Sequence, residues 1–314
     1  MSELQLIRPR AEDISGQPIL RPLPSARFRS IGPFVFFDHM LEQDYPAGSG
    51  LNIAQHPHIG LSTLTYLFEG QLQHKDSLGS DQLVGPGDVS WMTAGRAVAH
   101  VERTPPEQLG QNKRAHGLQV WLALPEAEEQ CEPAYSFHPA ASLPRSDAMG
   151  VQITLIAGSG LCLESPVPVR SPTLYAELRL SAGASLLIPD DYSERALYLI
   201  DGEAELDGET LPRHTMAVIP AGETPLLSAC GECHLALIGG EPIGPRRMNW
   251  NFVASTPELI DQARQRWAAG DWPQVPGETT RIELPQAPGG ACHSKGLPSC
   301  PCTAPSSAIR KRLT

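Results

Sequence analysis

Between residues 60 and 125 the chain never sustains an apolar run for long. LSTLTYLFEG, QLQHKDSLGSDQ, LVGPGDVSWMTAG and HGLQVWLALP follow one another, each broken by Gly, Pro, Asp or Ser. Apolar stretches recurring at this spacing, separated by residues that favour tight turns, describe the strands of an antiparallel sandwich or barrel. The same punctuation runs through the whole sequence, with 28 Gly and 31 Pro in 314 residues. Gly loses the most backbone entropy in a helix, and Pro removes a helical hydrogen bond and clashes with the preceding turn, so an all-helical bundle is excluded. The fold class is all-β.

The pattern repeats. Tyr66-Leu-Phe-Glu-Gly70 recurs as Tyr198-Leu-Ile-Asp-Gly202, at an offset of 132 residues. Gly87-Asp-Val-Ser-Trp-Met-Thr-Ala-Gly95 recurs as His214-Thr-Met-Ala-Val-Ile-Pro-Ala-Gly222, at an offset of 127. Two echoes in the same order predict a duplicated β-domain. One helix is expected, over about 256–269. Ser255 and Glu258 have capping-box spacing, Pro257 suits the first turn, and Gly270 follows the end. Leu259, Ile260, Ala263 and Trp267 share one face, so this is a packing helix laid against a barrel. Beyond residue 285 the composition turns to Gly, Pro, Ser and Cys, and 286–314 are expected to be a disordered tail. Cys292, His293, Cys300 and Cys302 within it fit no standard zinc spacing.

Charge and cysteine usage narrow the setting. Lys and Arg number 24 against 35 Asp and Glu, a net charge of −11, which argues against direct nucleic-acid binding. The N-terminal MSELQLIRPRAEDISG lacks the apolar core of a signal peptide, and no apolar run is long enough to span a membrane. Seven scattered cysteines read as reduced thiols, so a cytoplasmic location is expected. Cys230-Gly-Glu-Cys233 has CxxC spacing but sits in the second β-repeat with no helix following, and no redox or zinc role is assigned to it.

The histidines carry the chemistry. In Gln55-His56-Pro57-His58, residues two apart on a strand point to one side, so His56 and His58 project their imidazoles from a single face. His100 and Glu102 form a second pair with the same spacing. If those strands face each other inside a barrel, three imidazoles and one carboxylate converge on one ion. Such a set suits Fe(II), Mn, Co, Ni, Cu or Zn and leaves positions open for water or substrate. His74 is adjacent to Lys75-Asp76, which reads as an exposed turn, and is left outside the ligand set.

These residues also carry a family resemblance. Gly50-x5-His56-x-His58-x4-Thr63-x6-Gly70 matches the first cupin motif, with Thr63 where many cupins have a Glu ligand. Gly87, Gly95 and His100 trace the second motif, its histidine later than usual. Together with Gly32-Pro-Phe, Phe37-Asp-His39, His74-Lys-Asp-Ser-Leu-Gly79, Trp91-Met-Thr-Ala-Gly95, Gly239-Gly-Glu-Pro-Ile-Gly244, Trp250-Asn-Phe-Val253 and Val275-Pro-Gly277, the whole resembles the pirin family over about residues 1–285.

The resemblance implies two tandem cupin-type barrels, a bicupin: residues 1–135 binding metal, and 136–285 without metal ligands but including the helix. By matching position, the ligands are His56, His58, His100 and Glu102, holding one divalent transition metal, Fe(II) foremost. Transferred by the repeat offsets, these positions fall on Ile188, Asp190, Leu227 and Ala229, none a ligand set. Ile59 stands where the family usually has Arg, which predicts altered charge beside the site. Val101 replaces a usually small residue. Phe37, Asp38 and His39 are expected near the approach to the pocket.

Two functions follow from the likeness. One is a quercetin 2,3-dioxygenase, with O2 and a flavonol as reactants and Glu102 as the base that takes the 3-hydroxyl proton. The other is an iron-binding, redox-sensing co-regulator that binds a protein partner, either a transcription factor or a metabolic enzyme.

Overall fold

The computed structural model describes residues 4–285, so the expected tail and its Cys and His residues lie outside the described residues. The chain opens with β1 (Gln5–Ile7), a hairpin of β2 (Arg10–Ile14) and β3 (Gln17–Leu23), and the long β4 (Phe34–Tyr45). Then come β5 (Asn52–His58), β6 (Leu61–Glu69), β7 (Leu72–Asp76), β8 (Asp81–Val84), β9 (Val89–Thr93), β10 (Val98–Arg103) and β11 (Lys113–Ala123). Strands β2 to β11 together with β12 (Ala134–His138) build the first barrel. One wall has the order β12-β9-β6-β11-β4-β3-β2 and the other β5-β10-β7-β8.

The second barrel repeats this plan. Strand Glu194–Leu206 lies beside Leu226–Gly240 as β6 lies beside β11, and the echo residues hold corresponding places. Gly70 directly follows β6, and Gly202 lies within its strand at a register shift, with φ of +90° and +87°. A Cβ at Gly70 would overlap the Arg114 carbonyl oxygen, and one at Gly202 that of Glu232. Only glycine fits where the neighbouring strand comes this close at such a φ.

Alternation along the large wall divides its side chains. Phe37, Leu64, Tyr66, Leu118 and Val120 point away from the first lumen into a core shared with Tyr175, Tyr198, Ala236 and Ile238 of the second barrel. The two polar tips in this core are exchanged. Tyr66 donates to Glu177 at 2.6 Å, and the Tyr198 hydroxyl lies 3.0 Å from His39 Nδ1. The register makes these positions equivalent: His39 opposes Leu118, which opposes Tyr66, while Glu177 opposes Ala236, which opposes Tyr198. His116 Nε2 stands 2.9 Å from His39, as His234 Nε2 stands 2.8 Å from Glu177. The duplication is therefore visible in the seam between the barrels. Phe37 and His39, expected near the pocket, belong to this seam.

Each chain end crosses to the other barrel. β1 pairs with Met216–Ile219 of the second sheet. The helix α1 (Pro257–Ala269) buries Ile260, Ala263 and Trp267 against Ile59, Ala97, Ala99 and Val101 of the first. The expected division near 135 thus assigns both elements to the barrel opposite the one they pack on. The cap also differs from expectation by one residue. Thr256, not Ser255, accepts from Leu259 N–H, because both the N–H and the hydroxyl of Ser255 are bound by Glu129. Gly270 ends the helix in the left-handed region, φ 75°. Among the described residues no helix is long and apolar enough to cross a membrane.

Two predictions follow from this architecture. Gly70→Ala combines backbone strain of about 1–2 kcal/mol with overlap on a carbonyl, so denaturant unfolding should show a loss of at least about 2 kcal/mol. Gly222→Ala, with φ of 79° and open space around it, should lose less. The second concerns pH. Burial, reinforced by the neighbouring histidines, lowers His39 to a pKa of about 2, and burial also lowers His116 to about 4. An unfolded histidine titrates near about 6.5, so between these values the unfolded chain binds more protons, and stability is full above pH ~6.5 and falls on acidification. His116→Gln should make the decline of the unfolding midpoint between about pH 6.5 and 4 shallower than in the wild type.

Candidate metal centre

β5 and β10 are antiparallel neighbours in one sheet, with His56 opposite His100 and His58 opposite Val98. The imidazoles converge because cross-strand neighbours on one face of a sheet lie about 5 Å apart. The sequence-based expectation had the two strands facing each other across the lumen. They lie side by side instead. The Nε2 atoms of His58 and His100 are 3.1 Å apart, and one nitrogen from each of His56, His58 and His100 falls within 4.8 Å of the others. All three residues are buried, at 6%, 1% and 1% exposure.

Burial sets their protonation. Desolvation disfavours the imidazolium, lowering His56 and holding His58 and His100 well below the usual histidine range. Neutral imidazole is the ligating form. The tautomers are also fixed at two of the three. His56 Nδ1–H donates to the Ala54 carbonyl at 2.9 Å and His58 Nδ1–H to the Asn251 carbonyl at 3.1 Å, which leaves each Nε2 with its lone pair. A cluster of buried, neutral nitrogen donors with free lone pairs fits a borderline divalent cation such as Fe, Co, Ni or Zn.

Glu102 sits at the edge of this cluster. A register shift separates it from His100, and its carboxylate accepts from Thr65 Oγ1 at 2.9 Å and Gln119 Nε2 at 3.1 Å. These bonds draw it toward β6 and β11. It gathers with His100 and His74, not with His56 and His58. His74 departs from expectation outright. It is only 2% exposed, because β7 alternates and turns His74 and Asp76 inward while Lys75 points out.

Sequence reasoning missed the opposite wall. Trp121 meets His58 edge-to-face at a ring separation of 5.1 Å and stacks on Phe36 at 3.9 Å. The Arg21 guanidinium covers the far side of Phe36 at 4.4 Å and forms a two-point ion pair with Asp38 at 2.6 and 2.7 Å. Trp121 Nε1 is buried without a hydrogen-bond partner. The available signal was the period of two in β11, which puts Gln119 and Trp121 on one face. Ile59 does not alter charge beside the site. Both it and Val101 point into the apolar cluster under α1, away from the imidazoles.

The second lumen is different in kind. Ile188, Leu227 and Ala229, at the positions matching ligands, are buried among aliphatic side chains, and Asp190 pairs with Arg195 at 2.8 Å. Among the described residues the clusters able to hold a metal are both in the first barrel. Cys230 and Cys233 lie on the strand Leu226–Gly240, the first exposed and the second buried.

Two tandem β-barrels with a histidine cluster in one and an aliphatic lumen in the other define a bicupin. The chain belongs to the pirin family: the pirin model matches residues 17–122, and the pirin C-terminal cupin domain matches 175–273. It is 42% identical over 265 residues to a pirin-like protein of Caulobacter vibrioides, spanning 83% of this chain and 91% of that one. It is 32% identical over 269 residues to human pirin, spanning 82% and 88%. The solved structure of quercetin 2,3-dioxygenase from Acinetobacter baumannii superimposes with a TM-score of 0.84 at 33% identity, over 91% of this chain and 96% of that one.

A ligand that binds only the folded state raises its stability by mass action. Co(II) or Ni(II) at about 100 times Kd should therefore add about 2.7 kcal/mol, seen as a higher thermal midpoint. His58→Ala should abolish the increase, and EDTA should reverse it in the wild type.

Proposed function

We propose that this protein is a metal-dependent dioxygenase acting on a flavonol such as quercetin, with His56, His58, His100 and Glu102 holding one divalent transition metal, Fe(II) foremost. The observation that carries the reading is the set of three buried, neutral imidazoles beside a carboxylate that is hydrogen-bonded but not ion-paired. The likeness to the Acinetobacter baumannii quercetin 2,3-dioxygenase supports the substrate class. The free thiols of Cys131, Cys162, Cys230 and Cys233 fit a cytoplasmic setting.

When bound, such a metal supplies Lewis acidity toward a phenolic oxygen and access to O2 chemistry. The chain's own groups do the rest. Glu102 accepts the proton of the flavonol 3-hydroxyl on a carboxylate oxygen, acting as general base. Thr65 and Gln119 hold that carboxylate in place and limit its rotation. Trp121 stands against His58 as an apolar wall of the site, and its unpartnered N–H is placed to donate to an oxygen of the ligand. Burial of the whole cluster excludes bulk water from the reacting groups.

Anaerobic iron loading followed by a flavonol depletion assay in air tests the proposal. Glu102→Ala should lower kcat by about 10²–10⁴-fold, the usual contribution of a positioned base. Full activity in that variant would remove the assigned role. Stoichiometric metal without turnover of any flavonol would favour the redox-sensing co-regulator instead.

A further inference from the structure

We propose that His74 and Asp76 form a buried positioning pair that fixes the tautomer and orientation of His100 as a metal ligand. The inference rests on the metal reading above and adds residues outside its ligand set.

The ligand histidines are anchored in two ways. His56 and His58 each donate from Nδ1 to a backbone carbonyl. His100 has no such carbonyl. Its Nδ1 faces His74 Nδ1 at 3.5 Å, and His74 Nε2 lies 3.2 Å from Asp76 Oδ2. The antiparallel β7–β10 register produces this row, with His100 opposite Asp76 and Glu102 opposite His74.

Hydrogen-bond accounting leaves one arrangement compatible with a ligating His100. Its Nε2 is turned toward His58 Nε2, so that lone pair must be free and the ring proton must sit on Nδ1. His74 then accepts at Nδ1 and carries its own proton on Nε2, which it donates to Asp76. Asp76 is itself immobilised, because its other oxygen accepts the N–H groups of Leu78 at 2.9 Å and Ser80 at 3.0 Å. The ring of His74 is clamped by stacking on Tyr135, 4.5 Å apart at 13°. His74 and Asp76 are 2% and 0% exposed, so no solvent competes for these bonds. A carboxylate-backed imidazole is a stronger acceptor than an amide carbonyl, so the His100 N–H is held at least as firmly as those of His56 and His58.

His74 could instead be a ligand, since it gathers with His100 and Glu102. The geometry points the other way, because His74 approaches the nitrogen of His100 that faces away from His58.

The test uses the full chain with Co(II) as probe, reading affinity by chelator competition and the shifted, exchangeable imidazole N–H resonances by proton NMR. His74→Phe keeps a ring to stack on Tyr135 but has no acceptor. It should weaken Co(II) binding by about 10–100-fold, the usual effect of losing a partner behind a ligand, and lose the His100 N–H to solvent exchange while those of His56 and His58 persist. His74→Asn places an amide oxygen near the position of Nδ1 and should restore most of the affinity and the third resonance. Unchanged affinity and exchange in His74→Phe would overturn the inference. A Co(II) spectrum showing one ligand fewer in both variants would also overturn it, since His74 would then be a ligand. Wild-type protein that fails to bind Co(II) would overturn the metal reading itself, a result distinct from either.

Discussion

The antiparallel pairing of β5 with β10 is the constraint on which the site depends. Their register sets His56 opposite His100 and leaves His58 one step along the same face, so three imidazoles meet with no loop required to carry them. A slip of β5 by one residue would turn His56 and His58 to the other face of the sheet, under α1 and away from His100. That face is occupied by Ile59, Ala99 and Val101, packed against Phe252, Ile260 and Trp267. The apolar cluster and the histidine cluster thus lock the same register from opposite sides. The helix contributes no atom to the site, yet its packing holds β5 and β10 in the one alignment that assembles it.

The crossing chain ends extend this dependence. Asn251, just before the strand Phe252–Ala254 that bridges Ile59, supplies the carbonyl that orients His58. Gln55, next to His56, is held by Gln274 and by the N–H of Val275. Residues from beyond the second barrel therefore complete the first. At the other end, β1 closes the edge of the second sheet. Each barrel borrows an element from the far end of the chain, so the two are coupled through covalent connection as well as through the shared core and its exchanged tyrosines.

Much of this was legible in the residues alone. The period of two in His56-Pro57-His58 and His100-Val101-Glu102 locates the candidate ligands, and the paired glycines at 70 and 202 mark the duplication, because both signals are local to one strand. What could not be read depends on which strands become neighbours. Thr65, Gln119 and Trp121 reach the site from β6 and β11, and nothing in their own segments names Glu102 or His58 as their partner. His74 was misread for a related reason. Lys75-Asp76 looks like a solvated turn until the strand's alternation is known, and then the lysine alone faces out. Ser255 shows the same limit at the helix, where a long-range partner, Glu129, takes the group that local spacing would have used as a cap.

The contrast between the two lumens shows how duplication can concentrate chemistry in one copy. Desolvating three imidazoles and a carboxylate is unfavourable unless each polar atom finds a partner. In the first barrel Ala54, Asn251, Thr65, Gln119 and His74 meet that need, and burial then works in favour of function by keeping the imidazoles neutral. In the second barrel the equivalent positions hold Ile188, Leu227 and Ala229, packed in an aliphatic core, and Asp190, which pairs with the buried Arg195. That core stabilises the barrel by simple apolar burial, which frees the first barrel to keep a polar interior that on its own would stabilise it less. The second copy supports the site by being ordinary: it presents Tyr175, Tyr198 and Ile238 to the back of the wall that carries Gln119 and Trp121, and so holds that wall rigid behind the candidate metal centre.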